Sequence, residues 1–171
     1  MNNRKLWSFL MLALSSALCL PQLAQAEPSA GEPAARSMAE MKFGPVPGLP
    51  TCASGSVQAG DPAKEPFIIL AKLTTGCSIP WHWHTAAENL MIVSGTARIE
   101  MKDGPSKTLG AGGFVLLPSQ HVHQFLCKQK CTFFFYSDGA FDIHYVDAQG
   151  TEISPDDALK VVKEKAVQPM K

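Results

Sequence analysis

Residues 76–95, GCSIPWHWHTAAENLMIVSG, carry the pattern that decides the fold. His82 and His84 are separated by one residue, so in a β-strand their side chains point to the same face. Residues 85–87 are few enough to form a turn, after which Glu88 can return beside both imidazoles. Two ring nitrogens and one carboxylate that converge in this way form a site for a divalent metal ion.

Residues 112–127, GGFVLLPSQHVHQFLC, form a second stretch of the same kind. An apolar run ends at Pro118, a short turn follows, and a further strand starts at His121. His121 and His123 have the same parity, so a period of two residues allows both side chains to face inward.

The first stretch resembles the first cupin motif, Gly-x5-His-x-His-x3-Glu-x6-Gly. Every defined position of that motif is present: Gly76, His82, His84, Glu88 and Gly95. The second cupin motif is matched in part, and the residues in register are Gly112, Pro118 and His123. Gln120 stands where the second motif has a glycine, and Cys127 stands where it ends in asparagine.

This resemblance implies an all-β fold, the cupin jelly-roll β-barrel, with one bound divalent metal ion. The implied metal ligands are His82, His84, Glu88 and His123. We expect Gln120 and His121 beside these ligands or at the rim of the pocket. His144 is expected to be an ordinary barrel histidine.

The rest of the chain also has the pattern of a closed or sandwiched antiparallel sheet, because short apolar segments alternate with turn signals. Besides the histidine strand, the predicted strands are residues 51–58, 67–73, 88–93, 97–101, 114–117, 121–127, 132–136 and 141–146. In residues 132–136, either Phe133 with Phe135 or Phe134 with Tyr136 lines the pocket, and the pattern fits both.

The barrel is predicted over residues 51–148 and a helical tail over residues 149–171. Ser154 can cap the helix and Pro155 suits its first position, so the sequence predicts one short C-terminal helix. We expect Leu159 and Val162 to pack on the barrel.

Residues 1–26 have the features of a secretory signal peptide: a basic start, an apolar run and a small-x-small site that ends at Ala26. An uncleaved anchor is the alternative. Cleavage after Ala26 predicts a periplasmic or secreted protein without stable membrane association. Residues 27–50 are rich in Pro, Ala, Gly and Ser and are predicted to form a flexible N-terminal arm.

Four cysteines remain after the signal peptide, and an even number in an exported protein indicates disulfides. Cys127 and Cys131 flank residues 128–130, which are interpreted as a tight hairpin, so these two cysteines are predicted to pair. Cys52 and Cys77 then form the second pair. Three pairings are possible from the sequence, and four buried thiols are the alternative.

The net charge of the chain bears on which classes of partner it can bind. The chain has 15 basic and 15 acidic residues, so loss of Arg4 and Lys5 with the signal peptide leaves a net charge of −2. No basic stripe is present, which argues against nucleic acid or anionic lipid as a partner. Trp81 and Trp83 face away from the histidines. They either pack within the chain or form a homodimer interface, since tryptophan is enriched in interface cores.

Three imidazoles and one carboxylate leave positions open on a six-coordinate ion, as a catalytic metal requires. Fe, Mn, Ni, Cu and Zn all accept this set of ligands. Related cupins carry out oxygenase, decarboxylase and isomerase reactions, so the resemblance implies a metal-dependent enzyme, such as an oxidoreductase of the dioxygenase type, acting on a small organic acid or enol. The alternative is a non-catalytic cupin that binds or senses a small ligand or a metal.

Overall fold

The computed structural model describes residues 33–167, so the predicted signal peptide lies outside the described residues. The nine strands of this part of the chain are β1 (Ala53–Gly60), β2 (Phe67–Leu73), β3 (Ser78–Trp83), β4 (Glu88–Met101), β5 (Lys107–Leu109), β6 (Phe114–Leu117), β7 (His123–Ser137), β8 (His144–Val146) and β9 (Glu152–Ile153). One helix, α1 (Pro155–Val167), follows them.

All strand pairs are antiparallel. The strand order is β1-β2-β7-β3-β8-β9, while β4 pairs along β7 and also carries β5 and β6. The sheet curls on itself, so that the inward side chains of β2, β3, β4 and β7 share one core. The predicted all-β jelly roll with a short C-terminal helix is therefore confirmed.

Two predicted interruptions are wrong, because β4 and β7 are each continuous. The sequence pattern predicted that one strand ends before Gly95 and that residues 128–130 form a hairpin turn. In the structure both strands bend together through irregular pairing around Ser94, Thr96 and Gln129, as β-bulges allow. Gly95 is required there: its φ is +85°, and a Cβ would lie 2.1 Å from the carbonyl oxygen of Lys130.

The same bend, and not a hairpin turn, brings Cys127 and Cys131 together, with Cα atoms 5.7 Å apart and sulfur atoms adjacent. The sulfur atoms of Cys52 and Cys77 are 2.15 Å apart, and their Cα atoms are also 5.7 Å apart. Both predicted pairs thus lie at disulfide distance, as expected for an oxidising compartment.

The inward face of the sheet is apolar. Ile69, Ala71 and Leu73 are buried as the alternation of β2 predicts. Phe133 and Phe135 are the buried set in β7, which decides between the two parities that the sequence allowed.

The outer face of β2 is partly covered by the N-terminal arm. Leu70, which alternates with the inward residues of β2, is only 1% exposed. The ammonium of Lys72 lies 3.5 Å from the centre of the Phe43 ring, in a cation–π contact on this face.

Residues 33–50 of the arm are held against the edge of the barrel. Gly44 forms a β-bridge with Gly55 of β1. The Arg36 guanidinium donates hydrogen bonds to the carbonyls of Val57 and Gln58, at 3.3 and 2.9 Å. These contacts satisfy polar groups of an edge strand that would otherwise be open to solvent.

The C-terminal segment begins as predicted and includes one strand that the sequence pattern did not reveal. Ser154 Oγ accepts a hydrogen bond from the Asp157 amide at 3.2 Å, which caps α1. Ala158 is buried and Leu159 packs against the core. Strand β9 pairs with β8, so the sheet extends to Ile153. Within the described residues, the structure contains no helix with the length and apolarity needed to span a membrane.

Candidate metal centre

Three strands deliver four polar side chains to one point inside the barrel. His82 lies in β3 and His84 directly follows it, while Glu88 begins β4 and His123 begins β7. These four residues, called here the His/Glu cluster, are 2–8% exposed. One ligand atom from each lies within 4.8 Å of the others, close enough to hold a single metal ion.

Each imidazole of the cluster is oriented by a hydrogen bond from its outer nitrogen, Nδ1, to a main-chain carbonyl. The three acceptors are Pro80 for His82 (2.6 Å), Asp142 for His84, and His121 for His123 (2.8 Å). A proton held at Nδ1 leaves the lone pair of Nε2 free to face the centre. Such outer contacts commonly fix the ring orientation and tautomer of metal-binding histidines.

Electrostatics favour a cation at the centre. Glu88 Oε2 lies 3.3 Å from Nε2 of His84 and of His123, is buried, and has no hydrogen-bond partner. Burial alone would raise the pKa of Glu88, but His84 and His123 outweigh it, so the pKa lies below its usual value. Burial, followed by repulsion from His123 and His84, holds the pKa of His82 well below its usual value, so His82 is neutral. A buried carboxylate oxygen without a hydrogen-bond partner, gathered at one point with three imidazoles, fits a divalent ion.

The two further residues expected near the ligands have different roles. The main-chain amide of Gln120 donates a 2.8 Å hydrogen bond to the carbonyl of His84, while its side chain is exposed. Gln120 has a φ of +59°, the left-handed conformation that a glycine adopts without strain. His121 orients His123 through its carbonyl, and its own Nε2 is buried without a hydrogen-bond partner.

His144 and Trp83 pack together on the outer side of the barrel. Their rings stack at 3.9 Å with an angle of 6°. His144 also contacts Glu152 at 2.8 Å and Asp142 at 3.3 Å. Burial lowers the pKa of His144, but hydrogen bonds to these two carboxylates outweigh it and raise the pKa above its usual value. His144 is therefore not part of the His/Glu cluster.

Asp142 contacts the His/Glu cluster, although the sequence did not single it out. Its carbonyl orients His84, and its carboxylate accepts a 2.9 Å hydrogen bond from the amide of Thr85. The contact joins residues 58 positions apart. No local sequence signal marks a carbonyl acceptor at that distance, because any residue type provides a carbonyl.

The His/Glu cluster forms one wall of a small internal cavity of about 30 Å³, which is room for about two water molecules. The other walls are almost entirely apolar and include Phe133 and Phe135 from β7. Val46 and Leu49 of the arm and Phe141 of the loop before β8 complete the lining, although the sequence pattern did not predict them as pocket residues.

Comparison with known proteins agrees with this fold. A family model described as the cupin domain matches residues 69–130. An RmlC-like cupin from Shewanella frigidimarina NCIMB 400 superposes with a TM-score of 0.54 at 16% identity, covering 63% of this chain and 91% of that chain. KdgF from Halomonas sp. gives a TM-score of 0.51 at 16% identity, with 60% and 92% covered.

A third similar structure, the DMSP lyase DddQ from Ruegeria pomeroyi DSS-3, has a TM-score of 0.50 at 18% identity, covering 68% of this chain and 61% of that chain. Identities this low establish a shared fold and no shared activity. Comparison with curated proteins finds no match. Residues 69–130 thus match the cupin domain, and the described chain has the cupin fold.

Proposed function

We propose that this protein is an exported, metal-dependent cupin enzyme that acts on a small organic acid or enol. One observation carries the proposal: four buried ligand atoms from His82, His84, Glu88 and His123 converge at the wall of an apolar cavity. Three Nε2 atoms and one carboxylate oxygen would hold the ion. Fe, Mn, Ni, Cu and Zn all accept this set of ligands.

The chain contributes orientation and exclusion of water. Main-chain carbonyls fix the three imidazoles before an ion binds, which reduces reorganisation. The phenylalanine-rich wall keeps water away, and in such surroundings electrostatic interactions are stronger. A bound ion supplies Lewis-acid activation or a position for oxygen. Oxygenase, decarboxylase and isomerase reactions all fit this chemistry.

The second candidate is a non-catalytic cupin that binds or senses a small ligand or a metal. The composition of the cavity favours it. Outside the His/Glu cluster, Ser54 is the only polar residue that the described part of the chain contributes to the lining, and its hydroxyl is directed to the carbonyl of Lys72 at 3.4 Å. No residue of the described lining is thus available as a general base, which an enzyme of many other classes would need.

The proposed localisation is the periplasm or the extracellular medium, after the signal peptide is cleaved following Ala26. The sequence pattern of residues 1–26 supports it, as do the two cysteine pairs at disulfide distance. The mature chain would begin at Glu27, and a mass measurement of protein recovered from the periplasm tests this cleavage.

We place the proposed homodimer interface on the outer face of β4 and β6, and not at the tryptophans, since Trp83 stacks on His144 within the chain. Four large apolar side chains are exposed on this face: Met91, Val93, Phe114 and Leu116. Met91 lies opposite Phe114. A second copy suits this surface, because these four exposed residues are all apolar and uncharged, so two identical faces meet there without repulsion.

The dimer is tested by light scattering after gel filtration. Leu116→Lys should convert a dimer to a monomer. Met38→Lys is the matched control. Met38 is also a large, exposed apolar residue, but it lies on the N-terminal arm and not on β4 or β6. A wild-type monomer at micromolar concentration, or a Leu116→Lys dimer, would contradict the proposal.

The metal centre and the activity are tested separately. Purified mature protein should take up one divalent ion per chain at pH 7.5, and His123→Ala should lose most of this affinity, whereas His144→Ala should not. Oxygen uptake and product formation are then measured with a panel of organic acids and diphenols. No metal uptake would refute the metal centre, and release of every bound ligand unchanged, with and without oxygen, would favour the non-catalytic candidate.

A further inference from the structure

The wall of the cavity beside the His/Glu cluster is almost entirely apolar. Apart from the cluster and Ser54, each of its lining residues is aliphatic or aromatic. Among the described residues 33–167, no lysine, arginine, asparagine, glutamine or tyrosine belongs to this lining. A ligand that enters can therefore place a charged group favourably only at the metal.

The charge of the centre limits the charge of the ligand. Three neutral imidazoles, one carboxylate and a divalent ion together carry one net positive charge. A ligand with a single negative charge, spread over oxygens that face the ion, neutralises the centre. An additional carboxylate of the ligand, directed away from the ion into the apolar wall, would be buried without a counter-charge. Such burial is strongly unfavourable.

Aromatic rings border the side of the centre formed by His84. The ring centroid of Phe141 lies 5.5 Å from that of His84, and the centroid of Phe135 lies 6.2 Å from it. Phe135 and Phe141 contact each other edge to face at 5.9 Å. The part of a ligand that points away from the ion on this side therefore meets the rings of Phe135 and Phe141, which favour an apolar or planar group.

We propose that the cavity selects monoanionic oxygen chelators with an apolar remainder, such as enolised β-dicarbonyl compounds, and rejects acids that carry an additional carboxylate outside the chelating oxygens. This inference rests on the proposed metal-dependent function and narrows its substrate class. The free volume of about 30 Å³ also limits size. A larger ligand must displace Phe141 or Leu49, which belong to the loop and the arm rather than to strands.

A matched pair of ligands tests the selection. Heptane-2,4-dione and 4,6-dioxoheptanoate share the same β-dicarbonyl group and chain length, and they differ only in a terminal methyl or carboxylate. Binding to Mn(II)-loaded wild-type protein is followed at pH 7.5 by the change in the EPR spectrum, with retained metal measured after filtration. The dione is expected to bind at least about tenfold more tightly.

A variant shows whether the wall is the cause. Leu49→Arg places a cation at the edge of the cavity and should reduce or reverse the preference, whereas Leu49→Met should preserve it. Unchanged metal content and melting temperature show that either variant is folded. Equal or tighter binding of the dioxoheptanoate by wild-type protein, or no binding of either ligand to the metal-loaded protein, overturns the inference and leaves the metal centre standing. A wild-type protein that takes up no metal overturns both.

Discussion

The main-chain carbonyl of Asp142 accepts a hydrogen bond from Nδ1 of His84, so a residue of the loop before β8 sets the orientation of a ring at the centre. The loop is itself held, because the carboxylate of Asp142 accepts a hydrogen bond from Thr85 and contacts His144. Burial would raise the pKa of Asp142, but these hydrogen bonds outweigh it and lower the pKa, so the carboxylate is ionised.

Asp142→Ala should weaken metal binding about tenfold, the lower end of the range for contacts behind a metal ligand. The carbonyl remains in this variant, but the loop that aims it loses its anchors. The matched control is Asp147→Ala, since the Asp147 carboxylate also accepts main-chain hydrogen bonds, from Gln149 and Thr151, in a turn away from the cluster. Metal affinity is measured by competition with a chromophoric chelator. Equal losses in both variants would mean that Asp142 acts only through general stability.

Gln120→Gly should stabilise the protein. Gln120 has a φ of +59° and an exposed side chain. A glycine removes the steric cost of this conformation in the folded state, about 1–2 kcal/mol. Part of this gain is offset, because glycine also gives the unfolded chain more conformational freedom. The expected net gain in free energy of unfolding is about 0.5–1 kcal/mol. Chemical denaturation measures it, and Gln120→Ala, which retains a Cβ, should show no such gain.

Loss of the Cys52–Cys77 disulfide should lower the free energy of unfolding by about 3 kcal/mol. The disulfide closes a loop of 25 residues and thereby restricts the unfolded chain. The double variant Cys52→Ala with Cys77→Ala isolates this link. Denaturation of the variant under oxidising conditions is compared with that of the wild type, and mass mapping without reduction identifies the pairs. Recovery of four free thiols from periplasmic protein would contradict the pairing.

His144 should contribute stability that decreases with rising pH. Its pKa is raised in the folded state by Glu152 and Asp142, so its stabilising effect is complete below the unfolded value of about 6.5. The effect is then lost as the pH rises through the folded pKa. The difference in free energy of unfolding between wild type and His144→Gln should therefore be larger at pH 5.5 than at pH 9.

A second variant assigns that pH dependence. In a Glu152→Gln background the dependence contributed by His144 should be smaller, because one of its two carboxylate partners is neutral. A difference between wild type and His144→Gln that is constant with pH would show that the histidine acts through its stacking on Trp83 alone.

The sequence by itself determined the fold class and the composition of the candidate site. Period-two spacing put His82 and His84 on one face, and the turn after them returned Glu88 to that face, because strand geometry is local. The capped helix that starts at Pro155 was also predictable, since capping depends on residues within one turn.

Tertiary structure alone decided what lies around those residues. The continuity of β4 and β7 through their shared bend depends on pairing between distant segments, and the choice of Phe133 and Phe135 as the inward pair follows from that pairing. The carbonyl of Asp142 and the cavity wall at Leu49 come from segments far along the chain. Backbone carbonyls and apolar side chains occur throughout any sequence, so only the folded chain shows which of them face the centre.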